Sequence, residues 1–523
     1  MTHPMRILAA ISVAVLGSAC GDAGGGGVAD SGPAANVPLD AGAVVADAAP
    51  VPAADAAPSI PDATLPPDAA PDTALPDAAP DAGPPAPTCI FPAPGLAPNL
   101  PPEIVAARER AGQTAYTWLD DPGLGQVVDR RVVLRPTAAA IAALAASQHY
   151  PLPRPATHDT VVEQIRYVTQ DRGVFTEATA LVAYPVDSDP EHPAPILAVL
   201  HGTSGFTDAC APSNGLDVRA LAAVFASVGY IAVAPDYIGM RAFGEPSDFI
   251  HPYLVAEPTA IASLDSIRAA ARMTDVLCAQ PRVALFGGSQ GGHAALWTER
   301  FAPSYAPVLD LVGTVATVPP ADLVGEMERA LTSVVPATAN CLAFLAAASD
   351  WYGLLGRLGE VLKPPFDTRV PEVMRAGCDF SSIDAPRALP ELFQPALLDA
   401  AAGATLPDLL PWGAIVAENG LTTTSIPRLP QPNPAYGILA VFGEGDTLVT
   451  TPIERDAMAE LCRQGMPIVG MECQGASHTQ ATAWSLPEIM GFIDARFAGT
   501  PLDPAATCRP FEPVRCQGSP ASP

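Results

Sequence analysis

The sequence predicts an α/β architecture: a mostly parallel sheet with helices on both faces and an inserted helical cap. Three observations carry this. Short continuous apolar runs, such as Ile196–Leu200 and Val283–Phe286, alternate with segments of helical periodicity. Continuous apolar strands suit a sheet covered on both faces, where an alternating pattern would leave one face in water. Between residues 319 and 436 the alternation stops. That stretch is helical in character, with Trp351, Leu354, Leu355, Leu358, Leu409 and Trp412, and reads as a cap inserted at about 320–435; further sheet-covering helices are the rival reading.

The chain begins with a basic residue, Arg6, an apolar run from Ile7 to Leu16, and then small residues. This is the layout of a signal peptide over residues 1–19. The run is too short to span a bilayer as a mature helix. It ends Leu16-Gly17-Ser18-Ala19-Cys20, which resembles a bacterial lipoprotein signal whose cysteine is lipidated and becomes the new N-terminus. Such signals prefer Leu three residues before the cysteine, where this chain has Gly17. Ordinary cleavage after Ala19 would instead give a freely secreted protein.

Residues 20–88 hold ten Asp and no Lys or Arg, a glycine run from Gly24 to Gly27, and repeats such as Pro71-Asp72-Thr73-Ala74-Leu75-Pro76-Asp77-Ala78-Ala79-Pro80. Like charges repel, proline withholds backbone donors, and no aromatic residue seeds a core. The stretch predicts a disordered acidic linker that tethers residues 89–523 to a bacterial cell envelope if Cys20 is lipidated. The formal net charge is −28; setting aside the ten spacer aspartates and Arg6 leaves −19 on residues 89–523. No basic cluster appears, so nucleic acid is not an expected partner. Ten cysteines fit an oxidising compartment. Without Cys20 nine remain, so one or more is unpaired or intermolecular. Cys462 with Cys473, Cys508 with Cys516 and Cys341 with Cys378 are the candidate bridges. No CxxC or close Cys/His cluster exists, so neither a metal nor another cofactor is expected. A monomer is expected, touching membrane only through the N-terminal lipid.

From residue 89 the elements follow in order. Val161–Val168 and Thr179–Val186 are rich in β-branched residues with Gly173 between them, and predict a hairpin. A strand at Ile196–Leu200 precedes an amphipathic helix, Leu216–Val228, closed by Gly229. Tyr230–Ala234 is a strand and Thr259–Leu277 a long helix, with Leu264, Ile267 and Ala271 on one stripe. Val283–Phe286, Leu311–Val318, Ile438–Phe442 and Pro467–Met471 are further strands, and Glu488–Phe497 is a closing helix.

Chemistry enters at Gly287-Gly288-Ser289-Gln290-Gly291-Gly292, which follows a strand and precedes the helix-like His293–Arg300. This is a G-x-S-x-G elbow in the context it requires. The turn is so tight that side chains two before and two after the serine must nearly vanish, which Gly287 and Gly291 satisfy. A serine hydroxyl is a weak nucleophile and needs a base. In this arrangement the order is Ser, acid, His. His478, in a loop after Pro467–Met471, is the expected base; His293 is too close to the elbow and reads as buried structure. Asp446, past the strand Ile438–Phe442, is the expected acid, with Glu444 the rival and Asp236 a loop cap. Two backbone donors are needed for the oxyanion: the N–H of Gln290, and that of Gly202 or Thr203 after Ile196–Leu200. His201 and His251 read as structural. Together these residues predict an α/β-hydrolase fold and a serine hydrolase.

His201-Gly202-Thr203, Cys210-Ala211-Pro212-Ser213, Pro235-Asp236-Tyr237, His251-Pro252-Tyr253-Leu254 and the elbow together resemble the secretory lipase family of α/β-hydrolases, similar to the fungal lipase A enzymes. The resemblance covers roughly residues 160–500. It implies a lid between the strand after the elbow and the acid strand, hydrolysis of acylglycerols or related esters, and roles for Ser289, Asp446 and His478 as the family's Ser, Asp and His. The tether is foreign to the family's secreted members, and the cap is the part least like them. The same triad permits a peptidase or amidase. A surface binding protein without catalysis is a third reading. The apolar side chains of the cap, including Trp351, Leu354 and Leu355, suit an acyl chain.

Overall fold

The computed structural model describes residues 89, 105, 108–147, 152, 154–379, 383 and 387–520. The signal segment, Cys20 and the 20–88 linker lie outside the described residues. Among these, ten strands form one sheet: β1 (Val127–Leu134), β2 (Thr160–Asp171), β3 (Val174–Pro185), β4 (Ala194–Leu200), β5 (Ile231–Pro235), β6 (Ala279–Gly288), β7 (Asp310–Thr317), β8 (Gly437–Gly443), β9 (Ile468–Cys473) and β10 (Pro513–Val514). Their spatial order is β1-β2-β3-β5-β4-β6-β7-β8-β9-β10. β1, β2 and β3 pair antiparallel, as do β3 and β5. From β5 to β10 every pairing is parallel.

The helices are α1 (Ala138–Ser147), α2 (Leu216–Ser227), α3 (Ala256–Ala271), α4 (Gln290–Tyr305), α5 (Leu323–Thr332), α6 (Ala337–Trp351), α7 (Phe366–Ala376), α8 (Leu389–Leu392), α9 (Pro395–Ala402), α10 (Trp412–Asn419), α11 (Thr451–Arg463), α12 (His478–Trp484) and α13 (Leu486–Phe497). Successive side chains of a strand point to opposite faces. Thus Ile196, Ala198 and Leu200 of β4 join a core shared with α3, α4 and α11, while Leu197 and Val199 join one shared with α2 and α13. The sequence of β4 is a continuous apolar run because it fills two cores at once. Helices α5 to α10 lie between β7 and β8 and build a third core around Leu342, Phe344, Phe393 and Trp412, which Phe206, Ile250 and Tyr253 also join.

The chain runs from β4 outward to β5 and then back across to β6, which pairs β4 on its other side. The crevice beyond the carboxyl ends of β4 and β6 is therefore a topological switch point, where open α/β sheets bind ligands.

The bridges differ from those expected. Cys462 pairs with Cys508, Cys473 with Cys516, Cys210 with Cys378 and Cys89 with Cys278, and Cys341 is buried and free. The expected pairs Cys462–Cys473, Cys508–Cys516 and Cys341–Cys378 do not form. The tail lies alongside β9, with Pro513 opposite Glu472 and Val514 opposite Cys473. Parallel register then sets the earlier cysteine of each segment beside the other's earlier one. Four disulfides are consistent with an exported protein.

Candidate active site

Ser289 occupies the single residue between β6 and α4, at φ 55° and ψ −122°. A positive φ in a non-glycine residue is strained and persists only where the surroundings hold it. Here its N–H donates to Thr317 O at 2.9 Å and its carbonyl accepts from His293 N at 3.0 Å. The glycines around it are obligatory. A Cβ on Gly287 would lie 2.1 Å from Gly291 O, and one on Gly291 would lie 2.0 Å from Leu200 O. Both obstacles are backbone, so neither can swing away. The first N–H groups of α4 have no carbonyl a turn earlier to accept them, and the helix dipole favours negative charge there.

His478 opens α12 and Asp446 lies in the loop after β8. His478 Nδ1 and Asp446 Oδ2 are 2.7 Å apart. The other oxygen of Asp446 accepts from Leu448 N at 2.9 Å and Val449 N at 3.1 Å, which fixes the carboxylate plane. With Nδ1–H donated to Asp446, His478 Nε2 is left to act as an acceptor. It is buried and has no hydrogen-bond partner among the described residues. Glu444 does not face His478 Nδ1; its Oε2 accepts from Gly475 N at 2.8 Å, tying the loop after β8 to the one that leads into His478.

Two buried histidines pack beside Gln290 and the loop after β4. His251 Nδ1 lies 3.0 Å from Ile238 O and its Nε2 lies 2.7 Å from Gln290 Nε2. One tautomer satisfies both contacts: Nδ1–H donates to the carbonyl and Nε2 accepts from the Gln290 amide. Burial pushes His251 down to about 3, so it stays neutral and can accept. His201 Nδ1 lies 2.6 Å from Gly202 O, and burial pushes this ring down to about 4. The Tyr237 ring packs against both imidazoles. Thr203 Oγ1 lies 3.0 Å from Tyr253 OH, which also accepts from Asn340 Nδ2 of α6 at 2.9 Å. The loop after β4 is thereby tied to the cap. His293 is buried, with Nε2 2.8 Å from Asn419 O. Asp236 is buried too, accepting from Ser213 N, Ser213 Oγ and Thr179 Oγ1 at 2.8, 2.6 and 2.7 Å.

A small cavity of about 60 Å³ adjoins Ser289 and Gln290 and is lined by Tyr253, Leu323, Met327, Phe344 and Val449. Three of these come from α5 and α6 of the cap. Trp351, Leu354 and Leu355 do not line it. Trp351 is buried, with Nε1 donating to Asp171 Oδ1 at 2.9 Å, and so pins the cap to the β2–β3 hairpin; Leu355 is exposed. Sequence reading missed Leu323, Met327 and Phe344 because helical periodicity marks an apolar face without saying what lies opposite. It missed the contact of His251 with Gln290 because 39 residues separate them.

The secretory lipase family matches residues 211–364 of this chain, a span that contains the elbow and the first cap helices. A Mycobacterium tuberculosis (strain CDC 1551 / Oshkosh) protein named "Probable inactive lipase MT1628" is 26% identical over 367 residues, 67% of this chain and 76% of that protein. Lipase 6 of Candida albicans (strain SC5314 / ATCC MYA-2876) is 27% identical over 291 residues, 52% of this chain and 57% of that one. Among solved structures, Candida antarctica lipase A in its closed state has a TM-score of 0.56 at 19% identity, covering 76% of this chain and 88% of that one. The rice cell wall degrading esterase LipA of Xanthomonas oryzae has a TM-score of 0.56 at 19% identity, covering 72% and 97%. Likeness at that identity speaks to fold, while the family match and the named relatives support an ester hydrolase. By its sheet and elbow the chain has the α/β-hydrolase fold, and residues 211–364 match the secretory lipase family.

Proposed function

We propose that this chain is an exported serine hydrolase that cleaves carboxylic esters through an acyl-enzyme. The observation that carries the reading is the His478–Asp446 pair, at 2.7 Å, in a structure whose strained Ser289 stands at the sheet's switch point beside an apolar cavity. Ser289 Oγ attacks the ester carbonyl as its proton passes to His478 Nε2. Asp446 holds the imidazolium that forms. The N–H of Gln290 and that of Gly202 or Thr203 receive the oxyanion. His478 then protonates the departing alcohol. Water, deprotonated by the same imidazole, releases the acid and restores Ser289. The cap, residues 320–435, sets the acyl preference through α5 and α6.

The test is an assay across p-nitrophenyl esters from acetate to palmitate, beside an anilide, with fluorophosphonate labelling of Ser289 in parallel. Ester hydrolysis and labelling are expected. The Phe344→Ala variant should move the preference several-fold towards longer chains, because it enlarges the cavity by most of a ring. Hydrolysis of the anilide at a rate matching the esters would make it an amidase. The name of the Mycobacterium tuberculosis relative motivates a second reading, a binding protein without catalysis. Such a protein would be neither labelled nor active.

The same proposal extends to the N-terminus. Residues 1–19 are removed, Cys20 carries lipid, and residues 20–88 space the hydrolase from the membrane of a bacterial cell envelope. A single acyl chain gives marginal anchoring, so more than one is expected. Intact-mass measurement of the native protein should give an N-terminal Cys20 bearing acyl mass in the membrane fraction. An unmodified N-terminus in the soluble fraction would rule this out.

A further inference from the structure

Glu326 and Arg329 lie on α5, the first helix of the cap. Glu326 is buried and lines the cavity beside Ser289. Its Oε1 accepts from the backbone N–H of Thr450 at 2.6 Å. Its Oε2 takes two bonds from the Arg329 guanidinium, at 2.9 and 2.7 Å. Arg329 Nη2 also donates to Leu448 O at 2.7 Å, and Nη1 to Thr447 O at 3.5 Å. The segment held in this way, residues 447–450, is the one whose Leu448 and Val449 N–H groups bind Asp446 Oδ1. One ion pair from the cap thus grips, by two carbonyls and an N–H, the four residues that orient the carboxylate.

An exposed i,i+3 pair on a helix contributes little. Here Glu326 is buried and Arg329 half-buried, and removing the guanidinium leaves a buried carboxylate without its counter-charge. Burial raises the Glu326 carboxyl above its ordinary value and the Arg329 guanidinium pulls it back. The pair spans the junction from a cap helix to the loop after β8.

We propose that Glu326 and Arg329 are positioning residues for Asp446, so that seating the cap and orienting His478 are a single event. The proposal rests on reading Asp446 as the acid of the triad. Its test uses the Glu326→Gln and Arg329→Met variants and their combination, measured on a soluble p-nitrophenyl ester and by the rate of fluorophosphonate labelling, with Tm recorded beside. Glutamine keeps the size of Glu326 and can still accept from Thr450, so Glu326→Gln keeps the fold. Each single variant should lower kcat roughly 10–100-fold, as loss of an outer support typically does, with KM changed by no more than about two-fold. Labelling should slow by the same factor. The combined variant should cost no more than the worse single, because the pair acts as a unit. Arg329→Lys should recover part of the rate, since an ammonium can meet Glu326 but cannot fork to Leu448 as well.

Rates within about two-fold of the parent for both single variants, whatever happens to Tm, would show that the pair only packs the cap. The Asp446→Asn background separates the two ideas. If Asp446→Asn is severe and Glu326→Gln still costs its full factor in that background, the positioning role fails and the triad stands. If Asp446→Asn leaves the parent's rates unchanged, both are overturned.

Discussion

Ser289→Ala is expected to lower ester turnover by roughly 10⁴–10⁶-fold and leave the protein folded. The size of the loss follows from what remains. In the proposed mechanism the loss of Oγ removes the acyl-enzyme, and only the oxyanion donors and substrate binding still favour the reaction. The fold survives because the elbow is held through backbone groups. The Ser289 N–H still donates to Thr317 O, and its carbonyl still accepts from His293 N. Alanine keeps the Cβ, so the strain at φ 55° is unchanged. Circular dichroism and Tm should match the parent, while kcat falls and fluorophosphonate labelling disappears. Turnover within ten-fold of the parent would place the nucleophile elsewhere.

The elbow was legible in the sequence because its requirement is steric and local. A Cβ at Gly287 or Gly291 would meet backbone at 2.1 or 2.0 Å, so the glycines stand at fixed spacing whatever surrounds them. The central strands were legible for a related reason. Being covered on two faces, β4 and β8 and the buried half of β6 are continuous apolar runs, and β7 past Asp310 departs from one only at its glycine and threonines. β1 was not legible. Its sequence carries Asp129, Arg130 and Arg131 in the middle and it is half exposed, as an edge strand can be. β10 is two residues long and exists only through its register with β9. The disulfides failed on the same point, since nearness in sequence between Cys508 and Cys516 said nothing of the strand between them. The long helix expected at Thr259–Leu277 is α3, Ala256–Ala271. In the site, residue types at the tips of strands could be read, but not the tie from α5 to the loop after β8. Glu326 and Arg329 look like any i,i+3 surface pair until the chain folds over them.

Asp446→Asn should cost on the order of 10⁴ in kcat, and the physical reason is a proton on the wrong nitrogen. Asp446 Oδ1 accepts from Leu448 N and Val449 N, and Oδ2 faces His478 Nδ1 at 2.7 Å. An asparagine satisfies the two loop N–H groups with its carbonyl oxygen and must then turn its NH₂ towards His478. An NH₂ donates, so Nδ1 becomes an acceptor and the imidazole proton moves to Nε2. A protonated Nε2 cannot take the proton of Ser289. Shape and packing hardly change, so Tm should stay within a few degrees while labelling of Ser289 slows with kcat. The comparison that gives this meaning is Glu444→Gln. Glu444 accepts from Gly475 N at 2.8 Å, and glutamine can accept the same bond with its own carbonyl oxygen. Its effect should therefore stay within about three-fold, the scale of one retained neutral hydrogen bond. If Glu444→Gln proves the more damaging of the two, the acid is Glu444, and the short contact between Asp446 and His478 serves only to fasten two loops.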